Sequence, residues 1–275
     1  MGNYTSIKDW DTAYSNSRAV PEAHQIFQSW AALSERYRQE MPCELDIAYG
    51  GGQRERFDIF HSANKPPKGL VVYVHGGYWK AFDKNSSSFI AGGLNSHGYS
   101  VAVPSYSLCP QVSISDIRNQ IAKSIECAAE RIDGPIILSG HSAGAQLVAR
   151  MICADTQLPD YILGRIQNVV GISGVYDLRP IINTSMNQEL LIDEKEARVE
   201  SPSLKDPASG KKMACWVGAQ ELPEFLKQSR DLYRSWKNSD CHIQYQEAQF
   251  QNHFTVLSDM TEAASPLVRA HLTEL

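Results

Sequence analysis

The sequence lacks the features of a membrane or nucleic-acid-binding protein. No stretch approaches the roughly 20 consecutive apolar residues of a membrane-spanning helix. The 26 Lys and Arg residues and the 31 Asp and Glu residues are interspersed and give a net charge of -5. The chain therefore has neither a basic block for nucleic acid nor a basic amphipathic helix for a membrane surface. We expect a small molecule as partner, with no nucleic acid and no membrane, and we leave a homodimer open.

Signals for secretion and for metal binding are also missing. The first ten residues have no apolar core, so we expect no signal peptide and a cytoplasmic protein. The six cysteines are scattered without a C-x-x-C pair, as expected in a reducing compartment. The eight histidines include no pair at metal-ligand spacing. We therefore expect no metal site and no cofactor.

The regular alternation of apolar patterns predicts an α/β protein. The 275 residues, 43% of them hydrophobic, suit one large domain with an N-terminal extension. Such alternation indicates a mostly parallel sheet with helices on both faces, in which sites form at the carboxyl ends of strands. The predicted strands are 70–74, 101–106, 136–139, 169–173, 213–217 and 242–248. The predicted helices are 86–96, 114–131, 145–154, 223–237 and 263–273.

Two segments precede this alternating region. Residues 1–44 form an extension in which Ile26, Trp30, Leu33 and Tyr37 recur at helical spacing, so a helix is predicted over 22–39. This helix either packs on the main domain or places its aromatic side chains at the mouth of the active site. Residues 45–49 and 56–61 alternate apolar and polar side chains around three glycines and predict an antiparallel hairpin.

A long excursion interrupts the alternation after the strand at 169–173, the sixth strand when the hairpin is counted. Residues 175–209 contain three prolines and no strand pattern, and they predict a cap with short helices near 190–192 and 194–199. Residues 185–200 carry too many charges for the apolar lid of a lipase. We expect those charges to lie on a solvated face: Glu189, Asp193, Glu194, Lys195, Glu196, Arg198 and Glu200.

The catalytic motif is Gly140-His141-Ser142-Ala143-Gly144, which joins a predicted buried strand to a predicted helix. In that context G-x-S-x-G predicts a nucleophile elbow, a tight turn that projects the serine hydroxyl from the edge of the sheet. The glycines leave space where the backbone is crowded. Ser142 is the predicted nucleophile.

A serine nucleophile requires a base and a group that orients the base. His253 lies in a polar loop just after the last predicted strand and is the predicted base. Glu221 follows the preceding strand by one loop and is the predicted acid, with Glu224 and Asp177 as alternatives. Asp177 could instead cap the first turn of the cap segment. The role of the acid is to orient the histidine.

The oxyanion of an acyl-transfer reaction needs backbone donors. One predicted donor is the N–H of Ala143. The loop His75-Gly76-Gly77-Tyr78-Trp79 follows the strand at 70–74, and its residues Gly76, Gly77 and Tyr78 are predicted to complete the oxyanion hole. Glycines there allow the loop to approach the substrate carbonyl.

Together, His75-Gly76-Gly77-Tyr78-Trp79 and the stretch from Gly140 to Leu147 resemble the α/β-hydrolase fold, and within it the kynurenine formamidases and the hormone-sensitive-lipase-like esterases. The resemblance spans residues 45–275. It implies hydrolysis of N-formyl-L-kynurenine to kynurenine and formate, with Ser142 as nucleophile and His253 as base. The family's acid is usually Asp, so Glu221 is a departure.

The substrate and the activity each have an alternative at this stage. Tyr78, Trp79 and His141 are assigned to substrate binding, where the two aromatic side chains would stack on a planar amide; the alternative is that they only pack the loop. A carboxylesterase or amidase for other small esters or N-acyl compounds is the alternative activity. A non-catalytic receptor is disfavoured because both Ser142 and His253 are present.

Overall fold

The computed structural model describes residues 7–272. The first six residues of the predicted extension, on which the expectation of no signal peptide partly rests, lie outside this range, as does Thr273 at the end of the last predicted helix. One eight-stranded sheet has the order β1-β2-β4-β3-β5-β6-β7-β8. The strands are β1 Cys43–Ala48, β2 Arg56–Phe60, β3 Leu70–Val74, β4 Ser100–Pro104, β5 Ile136–His141, β6 Ile166–Ile172, β7 Lys212–Gly218 and β8 His242–Ala248.

The sheet is parallel from β4 to β8 and antiparallel at the β1 edge. β1 pairs antiparallel with β2, as predicted for the hairpin, and β2 pairs antiparallel with β4. The helices are α1 Trp10–Tyr14, α2 Asn16–Ala19, α3 Ala23–Glu40, α4 Ala91–Ser96, α5 Ile114–Ala129, α6 Ala143–Met151, α7 Asp160–Arg165, α8 Asn187–Leu190, α9 Glu194–Val199, α10 Pro223–Trp236 and α11 Pro266–Leu272. This architecture confirms the predicted α/β-hydrolase fold.

Two apolar cores lie on the two faces of the sheet. β3 is fully buried, and its side chains alternate between them: Leu70, Val72 and Val74 join one core, whereas Val71 and Tyr73 join the other. The first core contains residues of α5, α6 and α10, and the second contains residues of α3, α4 and α11. A strand covered on both faces has no polar face, which explains its continuous apolar run.

The helix predicted over 86–96 is confirmed only in its second half. Two short 3₁₀ helices, Lys84–Ser86 and Ser88–Ile90, come first, and only Ala91–Ser96 is α-helical. The Ser86 hydroxyl donates to the Asp83 carbonyl at 2.8 Å. Serine side chains that bond nearby carbonyls compete with the α-helical hydrogen-bond pattern, and this competition shortened the helix.

The cap at 175–209 consists of short helical segments, including α8 and α9. The prediction that Glu200 lies on a solvated face is wrong, because its side chain is fully buried. Its carboxylate forms ion pairs with Arg150 of α6 at 3.4 Å and with Arg118 of α5 at 3.2 Å, and accepts from the Ser115 hydroxyl at 3.0 Å. Two cations and a hydroxyl offset its desolvation, so the cap is joined to two helices of the main domain.

We expect Glu200→Gln to lower the free energy of unfolding by about 3 kcal/mol, because removal of one partner of a buried ion pair leaves its cations incompletely paired. Urea denaturation at neutral pH measures the change. Glu194→Gln, which breaks the exposed pair with Arg198, is the matched control and should change the same free energy by less than about 0.5 kcal/mol. Equal effects of the two substitutions would contradict a stabilising role for Glu200.

Candidate active site

Ser142 lies at the tight turn between β5 and α6. Its backbone has φ 55° and ψ -117°, a left-handed conformation that is strained for a residue with a side chain. The turn is crowded: a Cβ on Gly140 would lie 2.3 Å from the Gly144 carbonyl oxygen, and one on Gly144 would lie 2.0 Å from the Val74 carbonyl oxygen. The two glycines of the motif are therefore required by the close approach of α6 to β5 and β3.

His253 lies in the loop after β8 and pairs with Glu221, which lies in the loop after β7. The distance from His253 Nδ1 to Glu221 Oε2 is 2.7 Å. The other carboxylate oxygen, Oε1, accepts from the Gly218 backbone N–H at 2.7 Å and from the Ser173 hydroxyl. These two donors fix the carboxylate, which in turn orients the imidazole with its Nδ1–H toward Oε2. Ser173 was not singled out from the sequence, where nothing links it to Glu221.

Neither of the two alternative acids forms a hydrogen bond to His253 within residues 7–272. Asp177 Oδ1 accepts from the Arg179 backbone N–H at 3.1 Å, and its Oδ2 lies 2.6 Å from the Arg179 guanidinium. Asp177 therefore contacts the first residue of the helical turn Arg179–Asn183, whose N-cap is Leu178. Glu224 lies in the first turn of α10, where burial raises the pKa of its carboxyl group. Of the three carboxylates, Glu221 is the one hydrogen-bonded to His253.

His141 supports the His253 loop from below. Its Nε2–H donates to the His253 carbonyl at 2.8 Å, and the two rings are 4.7 Å apart. Burial, and then the charge of a protonated His253, hold the pKa of His141 well below its usual value of 6.5. The imidazole is therefore neutral at neutral pH and serves as a hydrogen-bond donor.

The loop after β3 has an unusual backbone. Gly77, Tyr78 and Trp79 have φ values of 107°, 48° and 55°, and a Cβ on Gly77 would lie 2.3 Å from the Ala81 carbonyl oxygen. Within residues 7–272, the N–H groups of Gly77, Tyr78 and Ala143 donate to no protein acceptor. Free donors at a loop and at the start of α6 are the groups that an oxyanion needs.

His75 and Gly76, the first two residues of this loop, pack against Tyr106 and the strand that leads to Ser142. His75 Nδ1–H donates to the Gly76 carbonyl at 2.7 Å, and its ring stacks on Tyr106 at 4.3 Å. Burial lowers the pKa of His75 to about 4. A Cβ on Gly76 would lie 2.9 Å from the His141 carbonyl oxygen, so the glycine allows the loop to contact the elbow strand.

Tyr78 and Trp79, both assigned to substrate binding, have different positions. Tyr78 lines the cavity beside Ser142, and its hydroxyl donates to the Tyr14 carbonyl at 2.6 Å. Trp79 is fully buried and is absent from the cavity wall; its indole N–H donates to the Gln146 side-chain oxygen at 2.9 Å. Stacking of Trp79 on a substrate is therefore not available, and its contacts are those of a packing residue.

A cavity of about 380 Å³ contains Ser142, His253 and His141 in its wall, together with His75, Gly76, Gly77 and Tyr78. The N-terminal extension supplies the opposite wall. Phe27 and Trp30 of α3 line the cavity. Their ring centroids lie 4.9 Å and 6.0 Å, respectively, from that of Phe254. Both alternatives for this helix hold, because it packs on the domain and also places two aromatic rings at the cavity. Tyr37 lies outside the cavity wall, and its hydroxyl donates to the Asn95 side-chain oxygen at 2.6 Å.

The segment before α3 also reaches the cavity, which the sequence did not indicate. Tyr14, Asn16 and Arg18 line it, although they show no apolar periodicity or motif.

Among the described residues, no group of three or more His, Cys, Asp or Glu side chains is placed to hold a metal ion. No helix within 7–272 has the length and apolar character needed to cross a membrane.

Comparisons with known proteins agree with this fold. A family model for the α/β-hydrolase fold matches residues 71–247. Kynurenine formamidase of Danio rerio is 30% identical over 279 aligned residues, covering 95% of this chain and 94% of that protein. Kynurenine formamidase of Drosophila melanogaster is 33% identical over an alignment that covers 71% of this chain and 70% of that protein. A solved structure from Silicibacter sp., described as a candidate thioesterase, is 41% identical, with a TM-score of 0.89 and coverage of 96% and 98%.

The buried histidines predict that the free energy of unfolding falls in mild acid. Since the folded pKa of His141 is below its unfolded value of 6.5, the unfolded chain binds more protons between the two values, and stability decreases as pH falls through that window. His141→Gln keeps an N–H near the Nε2 position but does not titrate. We expect its stability to fall less steeply below pH 6.5, by up to about 1.4 kcal/mol per pH unit.

Urea denaturation at a series of pH values from 8 to 5 measures these slopes for the wild type and for His141→Gln. Above pH 7 the two curves should differ by a constant offset, which is the internal control. Parallel curves throughout the series would show that His141 is not held neutral by the fold.

Proposed function

The chain belongs to the α/β-hydrolase family, in its kynurenine-formamidase-like group, and on that premise we propose that it hydrolyses N-formyl-L-kynurenine to kynurenine and formate. The observation that carries the proposal is the His253–Glu221 pair at 2.7 Å, whose histidine lies in the same cavity wall as Ser142. Relatives named kynurenine formamidase, one of them aligned over nearly the whole chain, support the choice of substrate.

In the proposed mechanism, Ser142 Oγ attacks the formyl carbon while His253 Nε2 accepts the hydroxyl proton. Glu221 keeps the Nδ1–H tautomer, which leaves Nε2 free to act as a base. The negative charge that develops on the formyl oxygen is stabilised by the N–H groups of Ala143 and of Gly77 or Tyr78. These N–H groups are in place before the reaction, so little reorganisation is required.

Collapse of the tetrahedral intermediate breaks the C–N bond, and His253 gives its proton to the departing arylamine nitrogen. The formyl group remains as an ester on Ser142. A water molecule, deprotonated by His253, then attacks this ester, and formate leaves as Ser142 recovers its proton. All atoms and charges balance without a cofactor.

Hydrolysis of a small ester or thioester is the second candidate activity. It is favoured by the Silicibacter structure, described as a candidate thioesterase and 41% identical to this chain. The same nucleophile, base and donors would act, because both reactions pass through a tetrahedral oxyanion. A cytoplasmic location stays a prediction, as does the oligomeric state.

We expect Ser142→Ala to lower kcat for N-formyl-L-kynurenine by at least about 10³-fold, because it removes the attacking oxygen. Steady-state kinetics of purified wild type and variant, followed by kynurenine absorbance, measure the effect. p-Nitrophenyl acetate and an acetyl thioester are assayed in parallel. If the wild type ignores the formamide but hydrolyses either acetyl compound through Ser142, the second candidate replaces the first.

We expect Glu221→Gln to lower kcat by roughly 10² to 10⁴-fold with a smaller change in KM. The Gln oxygen can accept from Gly218, which turns its NH₂ group toward His253 Nδ1 and stabilises the tautomer that carries its proton on Nε2. Glu224→Gln is the matched control, since it makes the same change one helical turn away, and it should leave kcat within about twofold. A larger loss from Glu224→Gln would reverse the assignment of the acid.

A further inference from the structure

The segment 11–18 forms one wall of the cavity, and its central residue is firmly held. Tyr14 is fully buried, and its ring lies 6.0 Å from the ring of Phe225. Its carbonyl accepts from the Tyr78 hydroxyl at 2.6 Å, and its own hydroxyl accepts from Gln228 at 3.2 Å. The centre of the segment is therefore fixed to the oxyanion loop and to α10, and the nearby buried Asn16 is held at the cavity wall before a substrate binds.

Asn16 brings an unsatisfied donor to this wall. It is 4% exposed and lines the cavity, yet its Nδ2 group has no hydrogen-bond partner among the described residues. Its backbone carbonyl is occupied, since it accepts from the Val20 N–H at 3.0 Å. A buried donor without a partner destabilises a protein. An acceptor group on a ligand in the cavity would remove that cost.

Arg18 is the available cation of the cavity wall. Lys80 is paired with Glu189 at 2.6 Å, and Asp11 accepts from the Ser185 backbone N–H at 2.6 Å. Arg18 forms no ion pair with a carboxylate of residues 7–272. Hydrogen bonds from Thr12, and more weakly the charge of Arg18, lower the pKa of Asp9. His141 is kept neutral by burial. The groups of this wall left to meet a ligand are thus the Arg18 guanidinium and the unpaired Asn16 amide.

We propose that Arg18 and Asn16 form a subsite for the α-carboxylate of the substrate, so that the enzyme selects aryl formamides that carry an amino-acid group. This inference rests on the proposed formamidase function. A guanidinium presents several N–H donors in a plane that matches a carboxylate, and the Asn16 amide adds a further donor from the buried side. The aromatic rings of Phe27 and Trp30 line the same cavity and suit the aryl part of the substrate.

The test compares two substrates in four proteins. N-formyl-L-kynurenine carries the carboxylate, whereas 2-formamidoacetophenone is the same aryl formamide without the amino-acid group. The proteins are the wild type, Arg18→Met, Asn16→Asp and the control Arg36→Met. Arg36 is an exposed residue of α3 outside the cavity wall, at 4.0 Å from Glu40, and its substitution removes the same charge.

We expect Arg18→Met to lower kcat/KM for N-formyl-L-kynurenine about tenfold, mainly through KM, because a hydrogen bond to a charged group is lost. Asn16→Asp should lower it at least as much, since a carboxylate replaces the donor. Both variants should retain kcat/KM for 2-formamidoacetophenone within about twofold, which also shows that they fold. Arg36→Met should change neither substrate.

Equal losses for both substrates, or no loss for N-formyl-L-kynurenine, would overturn the subsite while leaving the formamidase function intact. If the wild type cleaves neither formamide, the proposed function fails, and the subsite is judged by inhibition of p-nitrophenyl acetate hydrolysis. Weaker inhibition of Arg18→Met by L-kynurenine, with inhibition by 2-aminoacetophenone unchanged, would support it. Unchanged inhibition by both compounds would overturn it.

Discussion

The active site depends on the close contact between the start of α6 and the ends of β3 and β5. A single added Cβ at Gly144 would meet the Val74 carbonyl oxygen at 2.0 Å, so backbone packs directly on backbone there. β5 leads into Ser142, and β3 leads into the loop that contains Gly77. Because the two strands pair in register and the helix rests on both, the serine oxygen and the N–H donors are held in fixed relation. The strained backbone of Ser142 persists because this packing leaves it no alternative.

The parts of the site that the sequence predicted are those determined by local physics. The apolar run of β3 could be recognised because a strand buried on both faces admits few residue types. The two glycines of the elbow could be recognised because the crowded backbone there leaves no room for a side chain. The acid was different. Glu221, Glu224 and Asp177 all follow a strand or begin a helix, and only the packing of the β7 and β8 loops against each other brings Glu221 to His253. That contact is tertiary and has no local signature.

Glu200 and the segment 11–18 show why the remainder could not be predicted. Glu200 lies in a charged run, and its burial is compensated by Arg118 and Arg150, which come from two other helices. The segment 11–18 has no periodicity, and it reaches the cavity because Tyr14 inserts between Tyr78 and α10. Trp79 shows the reverse error: its place in the oxyanion loop suggested a substrate contact, but its side chain is buried away from the cavity.

Gln146, which lies outside the cavity wall, joins three parts of the structure through one side chain. Its side-chain oxygen accepts from the Trp79 indole of the oxyanion loop, while its NH₂ group donates at 2.8 Å to the Glu200 carbonyl of the cap. An amide offers an acceptor and a donor at one end of an uncharged chain, and few other side chains do so. A substitution at position 146 would therefore leave the buried Trp79 indole N–H and the Glu200 backbone carbonyl unpaired at the same time, so this one side chain ties the oxyanion loop, the nucleophile helix and the cap together.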